Sequence, residues 1–194
     1  MARRVVSAAT REKVYQIKVT LRDSRPAIWR RFEILSSATL DEVHRTLQIV
    51  MGWTDSHLHH FVVGEHCYGG PDPEESHGEK DERRMRLDKA LRKPKDKIRY
   101  EYDFGDSWLH HLVLERIRER DPRERYPVIL DAQGACPPEN VGGISGYYEF
   151  LQAISNPRHR EHKSMREWWG GSFDPRQFDI DDRNRALHRR RRTA

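Results

Sequence analysis

Two cysteines, Cys67 and Cys136, are all that 194 residues contain. That count excludes a disulfide-stapled scaffold and any four-thiolate zinc site. No run of about 18 apolar residues occurs, so no segment reads as a membrane-spanning helix. The N-terminal MARRVVSAATREK carries charge without an apolar stretch and does not read as a secretory signal. The expectation is a cytoplasmic protein that works away from membranes. No short period runs through the chain, which excludes collagen, coiled-coil and low-complexity classes. Several catalytic signatures are missing too. There is no HExxH, Ser107 and Ser145 lack a GxSxG elbow, and the DFG letters at Asp103 to Gly105 have no glycine-rich phosphate loop or HRD to accompany them.

What is present is a chain of 36% hydrophobic and 35% charged residues, the size of one ordinary domain. The net charge of +5 is unevenly placed. Residues 181–194 carry +4, residues 1–11 carry +3, and the body from Glu12 to Ile180 is −2. The chain thus divides into a basic N-terminal arm (1–11), a single α+β domain (12–180) and an Arg-rich C-terminal tail (181–194). Arg189, Arg190, Arg191 and Arg192 are the expected contacts if nucleic acid is a partner, and such contacts would be salt-dependent and tolerant of sequence.

From Glu12, Val14, Ile17, Val19 and Leu21 form a β-rich run that stops at Asp23-Ser24-Arg25-Pro26, and IWRRFEIL from Ile28 is the second strand of an antiparallel hairpin. Ser37 or Thr39 then caps a helix in which Leu40, Val43, Leu47 and Val50 recur at helical spacing, ended by Gly52. His57 to Val63 reads as a strand, and Tyr68 to Lys80 as a loop. Lys97–Phe104 and Trp108–Ile117 read as a long hairpin joined at Gly105-Asp106-Ser107. ACPPENVGG cannot be helix or central strand and is expected to be an ordered turn or a lid. Two helices follow, one marked by Tyr147, Phe150, Leu151 and Ile154, the other by Met165, Trp168 and Trp169. Beyond Asp181, Ala186 and Leu187 could extend a short helix. The order, roughly β-β-α-β-β-β-α-α, points to an α+β fold with a mostly antiparallel sheet.

Chemistry concentrates in two strand segments and a loop. With period-two alternation, His57 and His59 share a strand face. Asp103 and Asp106 flank a glycine turn, Trp108 and His110 share a face, and the ACPPEN loop adds Cys136 and Glu139. Two readings stay open. In one, His57, His59 and His110 hold a divalent ion while Asp103 or Asp106 orients water, as in a metal-dependent hydrolase. In the other, the histidines form partly buried hydrogen-bonding pairs and the carboxylates accept backbone N–H bonds in turns, with no cofactor. Cys136, between Ala135 and Pro137, is expected to be structural, and the five tryptophans mostly core.

The stretches IWRRFEI from Ile28, MGWTDSHLHHF from Met51, YEYDFGDSWLHHLVLE from Tyr100, YPVILDAQGACPPENVGG from Tyr126 and FDPRQFD from Phe173 follow one another over most of the chain. In them the chain resembles the Ri-plasmid (pRiA4b) ORF-three-like family, largely uncharacterised proteins found on plasmids, in insertion sequences and on microbial chromosomes. The resemblance places the family's recurrent polar residues at His57, His59, Asp103, Asp106, Trp108, His110, Cys136 and Glu139, with Gly142 and Gly143. Where the family loop usually reads CPPEDCGG, this chain has Asn140 and Val141, so the C-x4-C pair is absent. The glycine that the family tends to place at position 132 is Ala132 here. The resemblance implies a compact antiparallel sheet. Some relatives carry a resolvase label, but neither the catalytic set of a serine recombinase nor that of a tyrosine recombinase can be read in this chain. The expected role is that of an accessory or binding protein associated with mobile elements, with nucleic acid or another protein as partner.

Overall fold

The computed structural model describes residues 12–70 and 78–189. Eight strands form one sheet: β1 (Lys13–Leu21), β2 (Trp29–Leu35), β3 (His59–Val63), β4 (His66–Gly69), β5 (Lys80–Asp81), β6 (Lys97–Tyr102), β7 (Trp108–Glu119) and β8 (Val128–Gln133). Their order is β5-β4-β3-β6-β7-β1-β2-β8, and every pairing is antiparallel except the two-residue β4–β5 contact. Five helices accompany it: α1 (Leu40–Met51), the single turn α2 (Leu87–Ala90), α3 (Gly143–Ser155), α4 (His162–Trp169) and α5 (Ile180–Arg189). The fold is α+β with a mostly antiparallel sheet, as the sequence indicates.

One face of the sheet makes the core. Alternation in β1 sends Tyr15, Ile17, Val19 and Leu21 to the buried side, and Leu112 and Leu114 of β7 join them. On the other face, cross-strand polar contacts take over: Arg31 of β2 meets Glu115 of β7 at 2.7 Å and Asp131 of β8 at 3.0 Å. Helix α1 lays Leu40, Val43, Leu47 and Val50 on the core, all fully buried. Its start is a complete capping box: Thr39 accepts from the Glu42 N–H, and the Glu42 side chain accepts from the Thr39 N–H. Its end is Gly52 in the left-handed region, φ 103°.

Three features depart from the sequence expectation, and a fourth lengthens the short helix read around Ala186 and Leu187. The strand expected from His57 begins at His59, because Asp55 turns the chain with φ 63°. The stretch read as a loop from Tyr68 to Lys80 contains the end of β4 and the start of β5. Strand β8 extends the sheet beyond β2. The Arg-rich tail expected from residue 181 is helical through Arg189, and its Leu187, only 3% exposed, packs into the core cluster. Among the described residues no helix is long and apolar enough to cross a membrane.

Candidate functional site

Three loops meet at one end of the sheet: 52–56 after α1, 103–107 between β6 and β7, and 135–142 before α3. The Gly52 cap turns the chain so that Trp53 enters the core. There its indole donates to the Pro137 carbonyl at 3.2 Å, with its ring 4.9 Å from Tyr102 and 5.3 Å from His110. Glu139 is the centre of the junction. Its carboxylate accepts from the Thr54 hydroxyl (2.6 Å), the Thr54 N–H (3.3 Å) and the Tyr102 hydroxyl (2.5 Å). Burial, and then that bond to Glu139, push the Tyr102 phenol up to about 12.

The two aspartates of the glycine turn are also claimed by backbone. Asp103 Oδ1 accepts from the N–H groups of Gly105 (3.0 Å) and Asp106 (3.2 Å), and Asp103 itself sits at φ 58°. Asp106 Oδ2 accepts from the Gly142 N–H at 3.2 Å, tying the second loop to the third. At Gly143 the backbones come so close that a Cβ would stand 2.5 Å from the Asp106 carbonyl oxygen, and φ is +66°. Only glycine fits this junction.

The histidines diverge. His57 lies before β3, its Nε2 3.5 Å from Asp103 Oδ2. His59 bonds Glu82 Oε2 at 2.9 Å and stacks on His44 at 3.4 Å between ring centroids. His110, 1% exposed, is edge-on to Trp53, and neither ring nitrogen has a hydrogen-bond partner. Burial drives it down to about 3, so it is neutral at any physiological pH. His57 and His59 border Tyr102 and Tyr100, neighbours on one face of β6, at 5.7 and 5.9 Å between ring centroids, but their carboxylate partners differ. Among the described residues no three His, Cys, Asp or Glu side chains form a group able to hold a metal ion. The convergence that a His57, His59 and His110 metal centre requires is absent because each imidazole already has a different neighbour. Cys136 has its thiol pushed up to about 12, chiefly by desolvation, which makes it a poor nucleophile. Trp108 is buried 6.0 Å from Trp53. Of the expected nucleic-acid contacts, Arg189 closes α5, while Arg190, Arg191 and Arg192 lie outside the described residues.

Sequence reasoning missed a buried relay beside the junction. His44 Nε2 meets Asp55 Oδ1 at 2.7 Å, and His44 Nδ1 meets the Tyr100 hydroxyl at 2.9 Å. Burial first, and then the facing His59, bring His44 down to about 4. The available signal was spacing, since His44 falls in the Leu40, Val43, Leu47 stripe. Arg30 was missed too. It is fully buried, bonds the carbonyls of Val50, Trp29 and Gln133, and carries the Phe178 ring 3.7 Å from its guanidinium carbon. Its parity with Phe32 in β2 marks it as inward-facing.

Beside the junction lies an open cleft of about 510 Å³, between the Met51–Thr54 and Ala135–Glu139 loops on one side and Trp169, the 172–179 segment and the first turn of α5 on the other. Its volume falls within the roughly 300–1,000 Å³ of ordinary ligand sites. The junction thus shapes one wall of a pocket.

Comparison with known proteins follows the same residues. The family model for plasmid pRiA4b ORF-3-like protein matches residues 13–182. An uncharacterised protein, y4hQ, of Sinorhizobium fredii (strain NBRC 101917 / NGR234) is 39% identical over 176 residues, 90% of each chain. The crystal structure of a protein of unknown function, MM3350, from Methanosarcina mazei Go1 superposes with a TM-score of 0.80 at 32% identity, covering 89% of this chain and 98% of that one. With the fold, the loop junction and these matches in agreement, the chain belongs to the plasmid pRiA4b ORF-3-like family.

Proposed function

We propose that the protein is a non-enzymatic binding protein, an accessory factor of the mobile elements that the family name evokes, whose contact site is the cleft beside the loop junction. One observation carries this reading: the motif residues with chemical potential are used on each other. Glu139 accepts from the Thr54 and Tyr102 hydroxyls, Asp103 from N–H groups of its own turn and Asp106 from the Gly142 N–H, and His110 and Cys136 are held uncharged. A general base or nucleophile needs a free, suitably charged partner near substrate, whereas a binding wall needs rigidity. The reading requires no metal cofactor.

The five indole N–H signals, assigned by single Trp→Phe variants, provide the test. In a nuclear magnetic resonance screen of cationic, anionic and neutral small molecules, ligands are expected to move Trp169 and Trp53, which line the cleft. A screen in which no ligand moves either indole overturns the proposal.

A second reading, contact with nucleic acid through the basic ends, is supported by where charge sits on α5. Asp181 and Asp182 occupy its first turn and His188 and Arg189 its last, about 10 Å apart along the axis at 1.5 Å per residue. Phosphate would meet the basic end and avoid the cleft. Deleting residues 190–194, which leaves α5 whole, is expected to weaken binding in a gel-shift titration and to reduce the salt slope by up to about 3. An unchanged slope contradicts the tail mechanism, and no binding at low salt contradicts the reading altogether.

A further inference from the structure

The cleft has a definite chemical character. Four carboxylates line it, those of Glu139, Asp174, Asp179 and Asp182, against the single guanidinium of Arg183. Glu139 is held by the junction, but the three aspartates are only half used. Asp174 Oδ1 accepts from the Arg176 N–H (2.9 Å) and Asp179 Oδ1 from the Asp182 N–H (2.8 Å). Asp182 Oδ1 faces Arg185 and Arg189 at 3.5 and 3.9 Å. Arg176 Nε also stands 3.5 Å from Asp174 Oδ1, and among the described residues Oδ2 of each aspartate accepts no hydrogen bond.

Of the nearby cations, Arg176, Arg185 and Arg189 reach Asp174 and Asp182 only in long, exposed ion pairs, which are weak, and Arg30 and Arg183 serve another element. The last turn of α1 has no basic residue, and its C-terminal carbonyls carry a partial negative charge. Arg30 donates to the Val50 carbonyl there at 2.9 Å. The Arg183 guanidinium lies against Gly52, its Nη2 3.3 Å from where a Cβ would stand. Phe178 covers Arg30, so the one buried guanidinium near the cleft is withheld from it.

The walls are apolar and flat. Trp169 and Phe173 stand edge to face at 5.3 Å, and Pro137 and Pro138 lie opposite. Carboxylates among aromatic faces suit an organic cation on an apolar stem, above all a guanidinium, which stacks and hydrogen-bonds at once. The aromatic surface also continues outward. Trp168, 50% exposed, adjoins Trp169, 41% exposed, and α4 has no buried residue. A free small cation would leave that shelf in water, whereas a polypeptide brings further side chains to cover it.

We propose that the cleft docks an arginine-bearing segment of a partner polypeptide, with the guanidinium laid against the exposed part of the Trp169 ring and reaching the Asp174 and Asp182 carboxylates. This rests on the reading of the cleft as the binding site and names its occupant.

The test is calorimetric titration of the full chain with acetyl-Gly-Arg-Leu-Arg-Gly-amide, its glutamate-for-arginine counterpart and free arginine amide, at low and at physiological salt. The arginine peptide is expected to bind, more weakly as salt rises, and the acidic peptide not at all. The double variant Asp174→Asn with Asp182→Asn, which keeps both acceptor oxygens, should weaken binding at least tenfold. Trp169→Leu should weaken it several-fold at a temperature where circular dichroism shows the variant folded, a control that does not depend on the aspartates. Failure of the arginine peptide to bind at low salt, or equal binding by wild type and double variant, overturns the proposal. Arginine amide binding as tightly as the peptide overturns the polypeptide occupant. An anionic or neutral ligand that moves Trp169 in the indole screen, with no response to the arginine peptide, defeats this inference and leaves the binding reading standing. A screen that moves neither cleft indole defeats both.

Discussion

The loop junction and the cleft share a wall but use their carboxylates in opposite ways. At the junction Glu139 accepts from the loop after α1 and from Tyr102, Asp103 Oδ1 accepts from two backbone N–H groups, and Asp106 Oδ2 ties its loop to Gly142. In the cleft Asp174, Asp179 and Asp182 each engage one oxygen. Substitutions in the first region should therefore be felt as lost stability, since buried or bonded polar groups are costly to orphan. Substitutions in the second should be felt as lost binding. A family's recurrent polar residues can mark the frame of a site rather than its contact surface.

The largest effect is expected at Gly143. An alanine there must stand 2.5 Å from the Asp106 carbonyl oxygen at φ +66°, and a steric and backbone conflict of this kind costs about 3 kcal/mol. Urea denaturation of Gly143→Ala measures it, and a loss below about 1 kcal/mol would mean that the two loops part easily. Next comes Glu139→Gln, which turns an amide toward the Thr54 and Tyr102 donors and should cost about 2 kcal/mol by the same measurement.

His110 sharpens the comparison through pH. Its imidazole is held at about 3 by burial, below an unfolded value near 6.5, so the native state keeps it neutral. Its contribution to pH dependence is flat above about pH 6.5; below that, stability falls as pH drops toward 3, with a slope of up to about 1.4 kcal/mol per pH unit. His44, held at about 4, acts in the same direction. His110→Leu should remove one of these slopes. Because neither ring nitrogen is hydrogen-bonded, the variant should be as stable as wild type at pH 7, or more so. Denaturation at several pH values between 7 and 4.5 that gives parallel curves for the two proteins would refute the assignment. The smallest effect belongs to the cleft: Asp174→Asn should change stability by less than about 0.5 kcal/mol, and a larger change would make the cleft part of the frame.

Local pattern carried the fold where it acted alone. Helix α1 is legible in full because its capping box, apolar stripe and terminal glycine are all encoded within the helix and its caps. Strands β1, β2, β6 and β7 are legible for the same reason. The convergence of Asp106 with Gly142, and of Glu139 with the loop after α1, joins segments that the sequence singled out. What was not legible was set by partners far along the chain. His59 stacks on His44 of α1 and bonds Glu82, partners that no local pattern around β3 indicates. Helix α5 reads as a charged tail, since Leu187 is its only fully buried anchor and its place depends on β8, whose Ile129 N–H donates to Asn184. Trp168 and Trp169 keep helical spacing yet remain largely exposed, because among the described residues nothing packs over α4 from outside.

Native-state amide hydrogen exchange tests the central claim most directly. If the junction is frame, the N–H groups of Thr54, Asp106 and Gly142, which donate to carboxylates from within loops, exchange as slowly as those at the centre of β1 and β7 and open only with global unfolding. Rapid exchange at these three positions, with the sheet still protected, would show a mobile junction and contradict the account.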